Sequence, residues 1–236
     1  MNYEPKVSII TVCYNSEKTI KDTLQSVLHQ SYTNIEYIII DGKSTDGTLK
    51  IIKEYKSLFN GRMKYISEID SGIYNAMNKG IAKSSGEIIG IINSDDFYEP
   101  DAVWNAVSIM NPFEYQVAYG ALRLIRKNRS HEVIMNTHDK LPTTIIQHPT
   151  CFVTSITYQK HGLFNEKYKI SSDHDLLLRY YLNGNVKFIK MDKIITNFRV
   201  GGASAGPLGY KEHCKLRYKH GTMGFKEYIT NILFIC

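Results

Sequence analysis

The order of apolar segments in the first half of the chain constrains the fold more than any other feature. Short runs rich in Val and Ile predict buried strands at 6–13, 35–40, 63–66 and 87–92. Between them, apolar residues at helical spacing predict helices at 16–30, from 45 or 46 onward, and at 71–82. This alternation predicts an α/β fold whose mostly parallel sheet is covered on both faces, with ligands bound at the carboxyl ends of the strands.

The pattern changes after residue 112. Segments 115–125 and 132–136 look like strands without a helical crossover, followed by a strand at 150–154, a helix at 172–182 and a strand at 186–198. We therefore predict one domain at 1–205, which consists of a nucleotide-binding half (1–111) and a smaller mixed or antiparallel half (112–205). A basic tail follows at 206–236, and a helix is one option for it. A basic cluster separates the first two of these strands, and we interpret it as a solvated hairpin end, with an anion site as the alternative. Its members are Arg123, Arg126, Lys127 and Arg129.

Size and composition narrow the class of protein. The 236 residues, 43% of them hydrophobic, suffice for one large domain or two small ones. A net charge of +6 suits phosphate-bearing or membrane-surface partners, whereas the aromatic residues form no stacking stripe for nucleic acid. Four cysteines without short paired spacing indicate neither a zinc ribbon nor a disulfide framework. We find no signal peptide pattern and no run of 18 apolar residues, and predict a cytoplasmic or peripheral membrane protein.

Two adjacent carboxylates follow the fourth predicted strand, in the segment Asn93-Ser94-Asp95-Asp96. Carboxylates at such a position need solvent or a counter-cation, and Mg²⁺ or Mn²⁺ is commonly held by one or two carboxylates together with substrate phosphates. The alternative is a turn whose aspartates cap a helix beginning near Pro100, since Asp favours caps and turns. Taken alone, the dipeptide leaves both interpretations open.

A second acidic turn, Asp41 to Gly47, follows the second predicted strand. Its carboxylate could accept hydrogen bonds from a nucleobase or a ribose hydroxyl, and glycine allows close approach of the backbone. A plain turn is the alternative. The end of a phosphate-binding P-loop is similar to Gly42-Lys43-Ser44, but that motif requires a glycine where this chain has Tyr37, so we do not predict a kinase or NTPase.

The third acidic segment opens the predicted helix at 172–182. If Ser172 is the N-cap, Asp175 completes a box-like cap, and Asp173 is free to face a cleft and take a proton from an acceptor hydroxyl. His148 is either a structural side chain or part of the site. A triad around His174 is set aside, because no Ser or Cys nucleophile elbow accompanies it.

Taken in order, these segments resemble family 2 glycosyltransferases over residues 5–205, and most of all the bacterial members that build capsule, exopolysaccharide or O-antigen chains. The segments that carry the resemblance are 7–15 (VSIITVCYN), 41–48 (DGKSTDGT), 70–80 (DSGIYNAMNKG), 93–96 (NSDD), 148–152 (HPTCF) and 172–175 (SDHD).

The resemblance implies a GT-A fold, a nucleotide-sugar donor with UDP favoured, Mn²⁺ or Mg²⁺ as cofactor, and transfer with inversion to a saccharide or lipid-linked saccharide. It implies that Asp173 is the catalytic base and that the metal ligands are Asp95, the chief one, and Asp96 beside it. It also implies the remaining site residues. On the nucleotide side these are Thr11, Tyr14, Asn15, Asp41, Asp70, Lys79 and Ser94, and on the acceptor or diphosphate side His148 and Asp175.

Three departures from the family pattern leave alternatives open. Asn93 stands for the first acid of the metal motif, Ser172 for the Glu before the base, and Gly42 for the second acid of an Asp-Asp pair. A catalytically impaired nucleotide-sugar-binding protein is one alternative. A nucleotidyltransferase is a more distant one, since segment 7–15 lacks the expected glycine-rich loop. The segment 211–236 either contacts an anionic membrane or packs across the domain. No feature indicates an oligomeric state.

Overall fold

The computed structural model of the protein describes residues 3–126, 130–201 and 206–233. The strands in this part of the chain are β1 (Val7–Cys13), β2 (Ile35–Asp41), β3 (Met63–Ser67), β4 (Ile88–Asn93), β5 (Phe97–Tyr98), β6 (Gln116–Ile125), β7 (His131–Ile134), β8 (Cys151–Thr154) and β9 (Lys187–Arg199). The α-helices are α1 (Ile20–Leu28), α2 (Thr48–Lys56), α3 (Ile73–Lys83), α4 (Ala102–Val107), α5 (Ser155–His161), α6 (Ser172–Asn183), α7 (Pro207–Lys219) and α8 (Phe225–Leu233).

The strands form one sheet in the order β3-β2-β1-β4-β8-β6-β9-β5, with β7 paired to β6. The first four are parallel, β8 is antiparallel to both β4 and β6, and β9 is parallel to β6. Strands β1 to β4, β6 and β9 therefore all end at the same edge. The predicted α/β fold, with a parallel first half and a mixed second half, is confirmed.

Helices cover both faces of the sheet, and each face has its own core. Ile9 and Ile39 belong to the cluster that includes residues of α1, α2 and α4, whereas Ile10 and Ile38 belong to the cluster that includes residues of α3 and α6. Side chains alternate between the faces of a strand, so strands buried on both faces need apolar residues at nearly every position. This explains the continuous Val and Ile runs of the first half.

Several predicted boundaries differ from the structure. The helix predicted at 16–30 is only Ile20–Leu28, because the backbone N–H of Thr19 bonds to the carbonyl of Ser16 and forms a turn before it. The two-residue β5 and the helix α5 were not predicted. Helix α4 begins after Asp101, so neither acid of the 93–96 segment caps it, and that alternative was wrong.

The capping box at the start of α6 was also wrong. The N-cap position is Ser171 rather than Ser172, and no side chain caps the helix there. The hydroxyl of Ser172 is buried without a hydrogen-bond partner among the described residues. The carboxylate of Asp175 instead bonds to Arg179 and His220.

The basic cluster forms part of a hairpin, as predicted, since β6 and β7 pair in antiparallel register. Its described cations are paired: Arg123 with Glu99, and Arg126 with Glu132. Lys127 and Arg129 lie outside the described residues, as do 202–205 and 234–236. Within the described ranges, no helix is long and apolar enough to cross a membrane.

Candidate active site

The loops after β1 and β2 are tied together at the carboxyl edge of the sheet. Asn15 adopts φ +49°, in the left-handed region that Asn tolerates better than most residues. Its side-chain oxygen accepts a hydrogen bond from the backbone of Thr45 at 2.9 Å, and its own backbone N–H donates to the hydroxyl of Ser44 at 2.8 Å. Tyr14, beside it, is exposed. The structure thus brings the first two predicted nucleotide segments into one surface.

Asp41 is fully buried beneath this surface. Its carboxylate accepts hydrogen bonds from the backbone N–H and hydroxyl of Ser44 and from the hydroxyl of Ser67 at 2.6 Å. A carboxylate engaged in this way holds the β2 loop against β3. In this conformation Asp41 shapes the surface from below rather than being exposed on it.

The side chains of Asp70 and Tyr14 lie close to Gly42, which directly follows Asp41 in that loop. A Cβ atom added at Gly42 would lie 2.8 Å from Oδ2 of Asp70 and 3.5 Å from the Tyr14 ring, so a larger residue there requires the Asp70 carboxylate to move. Lys79 approaches the segment before Asp70, donating to the carbonyl of Ile69 at 3.0 Å and pairing with Glu68 at 2.8 Å. Lys79 therefore supports the loop that carries Asp70.

Two other predicted nucleotide residues face the interior. The buried hydroxyl of Thr11 is 2.9 Å from the hydroxyl of Tyr37, and the largely buried hydroxyl of Ser94 is 2.8 Å from that of Ser16. Ser94 therefore links the turn after β4 to the loop before α1. Thr11 lies within β1 and has no exposed surface to offer a ligand.

The turn at 93–96 separates its two acids. Asp96 is fully buried: one carboxylate oxygen accepts from the side-chain amide of Asn93 at 3.1 Å and the other from the backbone N–H of Arg199 at 3.0 Å. Burial, reinforced by the neighbouring charge of Asp95, raises the pKa of Asp96 to about 8. Asp96 thus joins the end of β4 to the end of β9.

Asp95 is half-buried at the carboxyl edge, and its carbonyl oxygen accepts a hydrogen bond from the Arg199 guanidinium at 2.8 Å. Within the described ranges, no cluster of three or more His, Cys, Asp or Glu side chains is placed to hold a metal ion. Mg²⁺ and Mn²⁺ are commonly bound by one or two carboxylates with substrate phosphates and water. A cation completed by a diphosphate fits Asp95, whereas a closed protein cage does not fit the described residues.

The carboxylate of Asp173 is held at the first turn of α6 by contacts from three elements. The backbone N–H of His174 donates to Oδ1 at 2.9 Å. The hydroxyl of Tyr74 on α3 lies 3.3 Å from the same oxygen and donates to the backbone carbonyl of Ile170. Nδ1 of His148 lies 3.3 Å from Oδ2. Asp173 retains 7% of its accessible surface. A carboxylate with fixed orientation and a small exposed surface is suited to accept one proton from a bound group.

His148 connects Asp173 to the 93–96 turn. While Nδ1 faces Asp173, Nε2 lies 3.2 Å from the side-chain oxygen of Asn93. Since the Asn93 amide nitrogen donates to Asp96, its oxygen is oriented toward the imidazole. The chain Asp96, Asn93, His148, Asp173 thus links the acidic turn and the first turn of α6 by consecutive side-chain contacts.

Asp175 lies apart from this group. It is fully buried, with Arg179 Nε at 2.9 Å from one oxygen and His220 Nε2 at 2.8 Å from the other. These contacts attach α6 to the end of α7. The resemblance implied an acceptor or diphosphate role for Asp175, but its carboxylate faces these structural partners.

Sequence reasoning did not assign roles to Tyr74, Arg199 or the amide of Asn93. Tyr74 belongs to the 70–80 segment that contributed to the resemblance, so its position was available as a signal. Arg199 ends a long strand far along the chain, and nothing in the sequence indicates that it reaches the turn after β4.

Solved structures share this architecture, as two of them illustrate. S. aureus TarS 1–349 in complex with UDP-GlcNAc superposes with a TM-score of 0.73 at 20% identity, covering 96% of this chain and 69% of that chain. The mannosyltransferase PcManGT from Pyrobaculum calidifontis, in complex with GDP-Man and Mn²⁺, gives a TM-score of 0.71 at 16% identity, covering 99% and 70%. The fold is of the GT-A type.

The sequence comparisons give the family. The model of glycosyl transferase family 2 matches residues 8–175, and the chain belongs to this family. Chondroitin synthase of Escherichia coli is 31% identical over 194 residues, 78% of this chain and 28% of that protein. An uncharacterized glycosyltransferase of Rickettsia prowazekii is 28% identical over 201 residues, 79% of this chain and 62% of that protein. The chain thus spans less than two thirds of the length of these curated relatives.

Proposed function

We propose that the protein transfers a sugar from a nucleotide-sugar donor to a hydroxyl of a saccharide or lipid-linked saccharide, with inversion at the anomeric carbon. UDP is the favoured nucleotide of the donor, and the reaction serves bacterial surface polysaccharide synthesis. The observation that carries the proposal is the oriented carboxylate of Asp173, linked through His148 and Asn93 to the acidic turn at Asp95. Family membership and the nucleotide sugars bound by two structural neighbours support the donor class.

In the proposed reaction Asp173 takes the proton of the acceptor hydroxyl while that oxygen attacks the anomeric carbon. The new bond forms on the face opposite the diphosphate, and the bond between the anomeric carbon and the diphosphate oxygen breaks, which inverts the configuration. General-base assistance of this kind typically contributes about 10² to 10⁴ in rate. The N–H of His174 and the imidazole of His148 orient the carboxylate that accepts the proton.

On the donor side, the surface around Tyr14, Asn15 and Asp70 holds the nucleoside, with Asp41 and Lys79 supporting its loops. Asp95 is the residue that would hold Mn²⁺ or Mg²⁺, since Asp96 is enclosed by Asn93 and Arg199. A divalent cation bound there would offset the charge that builds on the leaving diphosphate.

The test compares the wild type with Asp95→Ala and Asp173→Asn across a panel of UDP-, GDP- and dTDP-sugars, with Mn²⁺ or with EDTA. We expect metal-dependent binding of one donor that Asp95→Ala abolishes, and loss of turnover with retained binding in Asp173→Asn. Asp192→Ala, at an exposed carboxylate paired with Lys190 on β9, is the control and should leave both unchanged.

Each assignment has its own contrary outcome. Absence of donor binding under every metal condition contradicts the transferase. Donor binding without turnover in the wild type supports the impaired binding protein instead. Equal turnover in Asp173→Asn and wild type excludes Asp173 as the base.

We also propose that α8 contacts an anionic membrane, where a lipid-linked acceptor would be found. Helix α7 packs on the domain through Cys214 and Leu216, which are fully buried, whereas α8 has no buried residue and exposes Phe225 and Leu233. Helix α8 carries one Lys and one Glu, and the excess positive charge comes from exposed lysines of α7, Lys215 and Lys219. Exposed apolar side chains together with a basic helix suit contact with an anionic membrane. Sedimentation with phosphatidylglycerol vesicles should capture the wild type and not Leu233→Ser combined with Phe225→Ser. Equal sedimentation of both forms contradicts the contact.

A further inference from the structure

A carboxylate from α7 holds the backbone immediately before α6. The side chain of Glu212, in the second turn of α7, accepts hydrogen bonds from three consecutive backbone N–H groups. Its Oε1 accepts from Lys169 at 2.7 Å, and its Oε2 accepts from Ile170 at 2.8 Å and from Ser171 at 3.0 Å. Successive N–H groups that converge on one point form a concavity suited to an anion. The segment 169–171 is such a concavity, and Glu212 occupies it.

Other contacts hold the same segment to α3 and α7. The hydroxyl of Tyr74 on α3 donates to the backbone carbonyl of Ile170, and the hydroxyl of Ser171 donates to the carbonyl of Gly209 in α7 at 3.1 Å. Ser171 is the N-cap position of α6, and no side chain caps the helix there. The point at which α6 begins is therefore set by contacts with α3 and α7.

The proposed base follows this segment directly. Asp173 lies two residues after Ser171, in the first turn of α6. Its Oδ1 accepts from the N–H of His174 in the same turn, whereas its Oδ2 faces His148, which precedes β8. A shift of the first turn therefore changes the distance from Asp173 to His148 and to a bound hydroxyl. A misplacement of about 1 Å can cost about 10²-fold in rate.

Glu212 differs from the other residues of α7 that contact α6. Nδ1 of His213 lies 3.0 Å from Nδ1 of His174, and Nε2 of His220 lies 2.8 Å from the carboxylate of Asp175. These contacts join side chains, whereas the partners of Glu212 are backbone groups, so Glu212 sets the path of the chain itself. The family model ends its match at residue 175, and Glu212 lies beyond the matched range.

We propose that Glu212 is a positioning residue for the transfer reaction: it holds the segment 169–171, which fixes the first turn of α6 and with it the carboxylate of Asp173. The inference rests on the proposed transferase function, in which Asp173 is the base. It makes α7 a part of the catalytic domain that acts on kcat and leaves donor binding to the loops after β1, β2 and β4.

The test compares the wild type with Glu212→Ala and Glu212→Gln. The matched control is Glu227→Ala, which removes an exposed carboxylate of the next helix, 3.7 Å from Arg217. The measurements are kcat for donor hydrolysis at saturating donor, donor affinity by titration calorimetry, and the melting temperature, with kcat taken well below the lowest melting temperature. Hydrogen–deuterium exchange of the backbone amides of 169–175 is followed in parallel, because it reports the hold on this segment without any reaction.

We expect kcat in Glu212→Ala to fall between about tenfold and a hundredfold while donor affinity stays constant. Glu212→Gln, which keeps one acceptor oxygen, should recover part of kcat, and Glu227→Ala should match the wild type. The amides of 169–171 should exchange faster in Glu212→Ala than in the wild type and the control.

The positioning role is overturned by unchanged kcat in Glu212→Ala, by unchanged exchange of 169–171, or by a Glu212→Gln variant as slow as Glu212→Ala. A wild type that hydrolyses no nucleotide sugar contradicts the transferase function itself. Unchanged exchange alongside normal hydrolysis contradicts only the role of Glu212, so the two failures are distinguishable.

Discussion

Replacing His148 tests whether the side chain orients Asp173 for catalysis. The imidazole contacts the Asp173 carboxylate through Nδ1 at 3.3 Å and Asn93 through Nε2 at 3.2 Å, and it touches none of the residues of the donor surface. A hydrogen bond to a charged group is worth about 1.5–3 kcal/mol. Since about 1.36 kcal/mol corresponds to a tenfold rate change, His148→Ala should lower kcat by about tenfold to a hundredfold.

The assay is donor hydrolysis, in which water replaces the acceptor, together with direct measurement of donor affinity. We expect kcat to fall and donor affinity to stay constant, because only the reaction at Asp173 depends on the imidazole. His148→Asn should recover part of kcat, since its amide nitrogen can take the place of Nδ1 beside Asp173. His148→Gln, whose amide reaches the place of Nε2, should not.

A purely structural role gives a different result. The control is His138→Ala, which removes another partly buried histidine, whose ring is bonded to Tyr119 at 2.8 Å and stacked on Phe188. If His148→Ala loses thermal stability as this control does but keeps kcat, or if His148→Asn is as slow as His148→Ala, the orienting role is refuted.

Two other positions give independent predictions. Gly42→Ala places a Cβ 2.8 Å from the Asp70 carboxylate, which has to move. We expect donor affinity, measured by titration calorimetry, to fall several-fold, and thermal stability, measured by melting curves, to stay the same. Unchanged affinity argues against a donor site there. Burial alone would raise the pKa of Glu36, but hydrogen bonds from Ser8 and Ser85 lower this pKa from 4.5 to about 2. At about 1.36 kcal/mol per pKa unit, the shift corresponds to roughly 3 kcal/mol of folding stability. Because this pKa is depressed on folding, the contribution is complete above pH 4.5 and is lost as the pH falls toward 2. Glu36→Gln should therefore unfold at a lower urea concentration than the wild type at pH 7 and approach the wild type near pH 2. The control Glu54→Gln, at an exposed position, should match the wild type at every pH. A stability difference between Glu36→Gln and the wild type that does not depend on pH contradicts the link to the Glu36 pKa.

The candidate site was predictable where its residues follow strands closely in sequence. The loops after β1, β2 and β4 were expected at one edge because parallel strands bring their carboxyl ends together, and the structure places Asn15, Ser44 and Ser94 there. What the side chains do within those loops was less predictable. Asp41 and Asp96 were assigned to ligands, yet both carboxylates are enclosed by the protein. Whether an acid at the end of a strand faces outward or inward depends on neighbours from distant elements.

The sequence alone determined the class of fold, because hydrophobic periodicity records which faces of each strand and helix are buried, and that information is local. It also determined the order of the acidic segments, which predicted the family. Only the tertiary structure decided that His148 and Asn93 connect Asp173 to the acidic turn and that Arg199 closes this turn from β9. These contacts join residues 25 to more than 100 positions apart. No local pattern encodes such distances, since they result from how the mixed half of the sheet is paired.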